Sequence, residues 1–586
     1  MGSRALHAIS VVLSLTCFTT WAGAQSFRVQ CPTSTITHPS SLTNVNAEPA
    51  YTAATAFTTN ASGYLAPSAH VNGAIKCQQI SGGDGYSTMA NGTQTFMFSF
   101  GPLSGIADIA AGLPGTEFPN VFNTVYGGTL VPGDPATTDA IDTTVTSYPF
   151  KSNTTPGAAN SAPFSFNGAI GLAPDADCVS GNNFANANGG PLPCPNLPAN
   201  GLDGHVDPRQ IMDVGVMNGN IPAPLMAIDE DDEFFLTLTN VGMIMRPDLF
   251  EQHTVHFHGY PNASSFYDGV PDASVAINIG GSFTYYYIAP DAGTYFWHCH
   301  ITPPEHLQMG MVGQIYVRPR QNRTPAGTGL YASLSVQQND LRTACRRTGD
   351  GITPAVTTDP DILCTNPLPA ATNTVSQAND AIGTSTNNPD FGLPLKYAYN
   401  DGDGSTAYNV EYPIQIHGFD PNFHFVGMTF NPEAFADMKD KFFLLNGRSY
   451  PDTVTPGPLT TVSSDGRSHF SQPLPSIISI PAGGRALLRI SDLSVTEYAT
   501  LASLGIPMHV IGYNAKLLRD QSGNNTDYFT NSITLGGGES LDVILDASNT
   551  GVYHAGQIFY LFTPQLDHLS NDQENFGGLM TEIHIN

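Results

Sequence analysis

Short apolar runs and alternations, broken by turn residues, dominate the hydrophobic pattern of this chain. No long stretch has a helical period. From about 210 to Pro319, "IMDVGVMNGNIPAPLMAIDEDDEFFLTLTNVG", "SFTYYYIAP", "GTYFWHCH" and "MVGQIYVRP" predict strands. A second series follows: "YPIQIHGFD", "KFFLLNGRSYP", "IISIPAGGRALLRISD", "IPMHVIGYNAKLL", "SITLGGGESLDVILDA" and "GLMTEIHIN". Both series share an order: an "NG" turn, a buried strand, then a late glycine-bounded strand. The pattern predicts an all-β protein of two Greek-key sandwiches, each a copy of one plan.

The rest of the 586 residues is less regular. Residues 1–24 read as a secretory signal: Arg4, the apolar "AISVVLSLTCF", and the small-residue "AGA" before Gln25. That apolar segment is too short for a membrane anchor, so the protein is expected to be secreted or periplasmic, with no membrane span. Residues 25–205 are rich in Gly, Ser, Thr and Asn and read as a long irregular N-terminal region, with a first strand at "TQTFMFSFG" (93–101). Domain boundaries are expected at 206–319 and 411–586, with 320–410 as a Pro/Thr/Asn/Asp-rich linker.

Composition narrows the function. Formal net charge is −28, which argues against phosphate backbones and so against nucleic acid. Cys17 leaves with the signal and Cys299 sits in a histidine motif. The other six cysteines are expected to oxidise after export, with sequence-local pairs 31–77, 178–194 and 345–364 as the simplest of fifteen pairings.

The candidate chemistry lies in two stretches, "EQHTVHFHGYPNASSFYDGVP" (251–271) and "AGTYFWHCHITPPEHLQMGMVG" (292–313). On a strand, residues i and i+2 share a face. His256 and His258 therefore point one way, as do His298 and His300, while Cys299 points to the opposite side. Cys299 has His253, His306 and Met311 as partners, and Met309 is the rival thioether. One Cys, two His and one Met form the ligand set of a blue-copper electron-transfer site, because thiolate and thioether are soft and imidazole is borderline.

These motifs resemble the multicopper oxidase superfamily of cupredoxin-fold proteins: "HTVHFHG", "DGVP", "SFTYYY", "AGTYFWHCH" and "EHLQMGM" carry the resemblance, and the C-terminal "LLNGRSYP", "MHVIGYNAKLL" and "GGGESLDVILDA" are similar to a copper-free partner domain. The resemblance covers roughly 206–319 and 411–586. It implies type 1 copper at His253, Cys299, His306 and Met311. It further implies a type 2 ligand at His256 and type 3 ligands at His258, His298 and His300. Electrons would pass from type 1 copper through Cys299 to bound oxygen. Asp268 in "DGVP" resembles an acidic group that delivers protons.

The pattern is also incomplete. A coupled copper cluster in that family takes further His-X-His pairs, and no third one occurs among the seventeen histidines. The spacing in "HCHITPPEHLQMGM", with copper in the first of two domains, resembles copper nitrite reductases, which implies a homotrimer and makes His568 a candidate ligand contributed across a subunit interface. Three functions stay open. One is a laccase-like oxidase of phenolic, organic or metal-ion donors that reduces oxygen. Another is a type 1/type 2 copper enzyme acting on nitrite, and the last is a type 1 copper electron carrier.

Overall fold

The computed structural model describes residues 29–123, 217–323 and 395–586, apart from short breaks at 44–45, 52–54, 260–263, 290, 403, 430–433, 465–467 and 521–523, and it adds the backbone of two paired strands, Ser165–Phe166 and Ala169–Ile170. The signal segment, four of the cysteines (Cys178, Cys194, Cys345, Cys364) and most of the linker lie outside the described residues. Cys31 and Cys77 form a disulfide, as the sequence-local pairing expected.

The protein is mostly β. The first unit has two four-stranded sheets. One is built from β1 (Ile75–Thr88), β2 (Gln94–Pro102), β4 (Glu233–Gly242) and β6 (Ser282–Ile288), in the order β6-β4-β1-β2. The other uses β3 (Met226–Asp229), β5 (His256–Phe257), β7 (Gly293–His298) and β8 (Val312–Arg318), in the order β3-β8-β7-β5. Phe98, Phe100, Leu236, Leu238, Tyr285, Trp297 and Ile315 fill the space between them.

The first sandwich therefore begins well before 206. The N-terminal region supplies β1 and β2, which is half of one sheet, so 25–205 is not irregular throughout. β1 hides from a hydrophobicity pattern because its sequence, "IKCQQISGGDGYST", is polar yet buried. Several of its polar groups find partners: the Gln79 N–H donates to Ser104 Oγ at 2.7 Å, and the Asp84 carboxylate accepts from the N–H groups of Met217 and Met245 at 3.3 and 2.8 Å. Buried polar atoms with partners cost little.

The second unit repeats the plan. A large sheet includes β9 (Val410–Phe419), β10 (Phe442–Leu445), β11 (Arg485–Asp492), β12 (Met508–Tyr513) and β13 (Ser540–Asp546); a five-stranded sheet completes the sandwich. Its aliphatic core includes Ile414, Leu488, Ile490, Leu501, Val543 and Ile583.

The two units are joined by a buried polar seam. Arg318 on β8 donates to Glu411 on β9 at 2.6 and 2.9 Å, and Arg489 on β11 donates to the same carboxylate at 3.0 Å. Thr294 on β7 donates to Asp542 on β13 at 2.6 Å. An apolar cluster including Ile221, Phe296, Phe419 and Leu493 continues the contact. The seam places β7 between the core of its own unit and the second unit, and this position creates two metal-ligand clusters.

Candidate metal centre

From its second residue, strand β7 and the residue after it read Thr294-Tyr295-Phe296-Trp297-His298-Cys299 in alternating directions. Tyr295, Trp297 and Cys299 enter the first core. Thr294 and Phe296 meet the second unit, and His298 lies on their face. β5 pairs with β7 so that His256 stands opposite His298 and Phe257 opposite Trp297. The strand register alone separates a thiol site from an imidazole site.

The thiol site lies inside the first sandwich. Cys299 is a free, buried cysteine. His306 Nδ1 lies 3.2 Å and His253 Nδ1 4.0 Å from its sulfur, and the three ligand atoms lie within 4.8 Å of one another. Pro303 and Pro304 open a short helix, α1 (Pro303–Gln308), that turns His306 inward. The N–H of Met311 then donates to the His306 carbonyl at 2.8 Å, and the N–H of Cys299 donates to the Met311 carbonyl at 3.1 Å. Met311 and His253 both pack against Gly82 of β1: a Cβ built there would lie 3.4 Å from the Met311 methyl and 2.7 Å from the His253 ring. Met309 is equally buried in the same core.

Electrostatics prepare the donors. Burial opposes ionisation of Cys299, but His306 and His253 outweigh it and hold the thiol well below its usual range. Burial likewise opposes charge on His306, and the Cys299 thiolate with Glu251 outweighs it and raises its pKa. The N–H of Thr254 also donates to the sulfur at 3.3 Å. Loading a metal here must displace the His306 proton, so metal affinity is expected to rise with pH, checked by titrating copper at several pH values while following proton release.

The imidazole site faces the second unit. Ligand nitrogens of His256, His258 and His298 lie within 4.8 Å of one another, and His258 Nε2 is 2.9 Å from His298 Nε2. The His300 ring is 5.1 Å from that of His256 and 5.4 Å from that of His298. Burial first, and then the neighbouring imidazoles, push His258 down to about 4 and His298 well below its usual value. Both are neutral at pH 7, the form that ligates metals. A cavity of about 330 Å³ opens beside them, lined in part by Phe296, Asn514, Gly538 and Ser540.

Asp268 sits at the edge of this site. Its backbone carbonyl accepts from His256 Nδ1 at 2.7 Å and its carboxylate is 3.5 Å from the same nitrogen. His568 joins neither cluster: it is 2% exposed, its Nε2 is 2.9 Å from Glu497, and its ring stacks on Phe443 at 3.8 Å.

Sequence reading passed over several residues that shape the thiol site. Gly82 leaves room for His253 and Met311. Phe98 lies edge-on to His306 at 5.1 Å. Glu251 reaches His306 Nε2 at 3.4 Å. Two isolated histidines of the second unit brace the loop from outside: His417 Nε2 meets the Leu307 carbonyl at 2.8 Å, and His424 meets the carbonyls of Gln308 and Phe96. Only Glu251, beside His253 in the motif, had a sequence signal.

Gly82→Ala is expected to displace the His253 ring. Overpacking of this kind costs about 1–3 kcal/mol, and losing a ligand's support weakens metal binding by about 10–100-fold. Competition with a chelator, monitored by the visible copper band, checks this; unchanged affinity would show that Gly82 is not needed for the site.

A buried cysteine between two imidazoles on a β-sandwich, with a thioether alongside, defines a type 1 copper-like site of cupredoxin character. Residues 203–322 match the multicopper oxidase family, and the likeness is to that segment of the chain. It is 32% identical over 127 residues to laccase 1 of Metarhizium acridum, covering 21% of this chain and 19% of that protein. It is 35% identical over 112 residues to a copper-containing nitrite reductase of Rhizobium meliloti, covering 18% of this chain and 26% of that protein. A blue copper oxidase from Nitrosomonas europaea aligns over 63% of this chain and 78% of its own at 18% identity, with a TM-score of 0.38. The chain thus spans only about a fifth to a quarter of the curated relatives' length.

Proposed function

We propose that this protein is an exported copper oxidoreductase that takes electrons one at a time from a phenolic, organic or metal-ion donor and delivers them to oxygen at the imidazole site. His253, Cys299, His306 and Met311 would hold type 1 copper; His256, His258, His298 and His300 surround the second site. The donor sets fit copper: a thiolate and a thioether favour it at the first, and neutral imidazoles at the second. Bound copper supplies one-electron redox chemistry at both.

One observation carries the reading. Cys299 belongs to one cluster, and its chain neighbour His298 belongs to the other, with the His300 ring stacked beside it. His298 Nδ1 also donates to the Cys299 carbonyl at 2.6 Å. The link is covalent, short and buried, which an isolated electron carrier does not require.

The chain's own groups supply the rest. Glu251 faces His306 from the partly exposed side, with its carboxylate held below the usual range first by its hydrogen bond to His306. It gives the donor edge a negative charge suited to a metal cation or to a phenol's hydroxyl. Asp268, also partly exposed, is placed to hold a proton beside His256. The Cys31–Cys77 disulfide suits an oxidising compartment, and a mature N-terminus at Gln25 is the expected result of sequencing the exported protein.

Nitrite is the second acceptor to consider, because the described residues bring together four imidazoles and no more at the second site. Steady-state turnover of the copper-loaded protein with a phenol or Fe(II) separates the readings. Oxygen consumption coupled to donor oxidation supports the oxidase, nitrite-dependent oxidation under argon supports the second reading, and a reducible blue centre that turns over with neither acceptor leaves an electron carrier.

A further inference from the structure

Five described histidines outside the two clusters are engaged elsewhere. His417 and His424 hold backbone carbonyls, His509 is 3.0 Å from Asp527, His568 pairs with Glu497 and His584 with Glu582. Among the described residues, the 536–540 turn of the second unit and Asn514 face the imidazole site across the seam. Among the described residues, no further His-X-His pair faces this site.

We propose that the second site is mononuclear and complete within one chain: His256, His258 and His298 hold a single copper ion, His300 stands outside its ligand set, and Gly538 is the positioning residue that fixes His258. This rests on the copper reading above and settles its nuclearity.

The tautomers argue for it. A ligating imidazole needs one nitrogen free, and a partner on the other nitrogen fixes which one. His256 Nδ1 meets the Asp268 carbonyl at 2.7 Å and His298 Nδ1 meets the Cys299 carbonyl at 2.6 Å. His258 is hydrogen-bonded by the Gly538 backbone on its Nδ1 side. All three rings therefore turn Nε2 inward, and His258 and His298 meet there at 2.9 Å. Three imidazoles with an open fourth position form a single-ion site that can accept a small ligand. The cavity of about 330 Å³ supplies the space. His300 is stacked beside His298 rather than converging with the other three.

Gly538 makes the second unit part of the site. Its φ of +91° disfavours other residues, and a Cβ there would lie 2.8 Å from His258 Nδ1 and 2.9 Å from Cε1. The turn is tied down beside it: Ser540 Oγ donates to the Thr294 carbonyl at 2.7 Å. No neighbouring subunit is called upon, so the site does not depend on the trimer that the resemblance implies.

The test is copper per chain and quantitative EPR on the full-length, copper-loaded protein, repeated across a dilution series followed by light scattering. One blue copper and one EPR-visible non-blue copper per chain, unchanged on dilution, is the expected result. A third copper, an EPR-silent pair, or loss of the non-blue copper as an oligomer dissociates would overturn it. Gly538→Ala and His258→Ala should weaken the non-blue copper by about 10–100-fold while the blue band persists and reports a folded first unit; His300→Ala should keep both coppers. Retention in both of the first two variants, or loss in His300→Ala, also overturns the proposal. Absence of any blue band in the parent would instead defeat the copper reading itself, which separates the two failures.

Discussion

Cys299→Ser is expected to remove the intense visible band and to lower donor oxidation by more than about 100-fold, the upper end of what losing even a ligand's supporting partner costs. Volume is nearly conserved, so packing against Trp297 and Met311 in the first core should survive. The chemistry does not: a hydroxyl keeps its proton at neutral pH, whereas the neighbouring imidazoles already hold the thiol well below its usual range. The hard oxygen also loses copper's preference for soft ligands. His256, His258 and His298 lie on the opposite face of the strand, so their copper should remain and be counted by EPR. A variant that keeps its blue band would sink the assignment of Cys299. One that loses both coppers would show that the two faces of the strand are not independent.

That experiment works because the separation of the two faces is legible in the sequence. "HFH" and "HCH" require only strand alternation to sort their side chains, and β5 and β7 place them so. Other features had no such signature. β1 is buried by polar residues and glycines whose reason is local contact, as Gly82 against His253 shows. His417 and His424 are lone histidines in sequence; they matter because the second unit folds back onto the loop carrying His306. His568 illustrates the converse. Its place in a loop before the last strand suggested a ligand contributed across subunits, whereas stacking on Phe443 and pairing with Glu497 bury it within its own unit. Periodicity reports what one element does alone, and these contacts arise between elements far apart in the chain.

The seam between the units is the clearest case of such a contact, and Glu411→Gln should be the most destabilising single change there. Glu411 is 11% exposed and accepts from Arg318, Arg489 and Tyr408. The Arg489 side chain is fully buried. Removing the carboxylate charge leaves two guanidinium groups short of their partner, and breaking such a buried pair costs about 3–5 kcal/mol, or roughly 10 °C in the melting of a unit of this size. The pH dependence carries a signature. Despite burial, the two arginines depress Glu411 from 4.5 to about 2, which corresponds to about 3 kcal/mol of stability at neutral pH. The depressed folded-state pKa means that this contribution is complete above pH 4.5 and is lost as pH falls through about 2. His417, lowered by burial to about 3, removes stability over a higher window, as pH falls from 6.5 towards that value. Wild-type melting should therefore decline in both windows, and Glu411→Gln should fall less steeply than wild type as pH drops from 4.5 towards 2 while keeping the His417 decline. The seam also walls the imidazole site: Arg489 lies 3.7 Å from Asp542, which accepts from Thr294 two residues before Phe296 of the cavity. Non-blue copper should accordingly dissociate at lower temperature than the blue copper in this variant, and equal release temperatures would show that the second unit contributes nothing to holding the site.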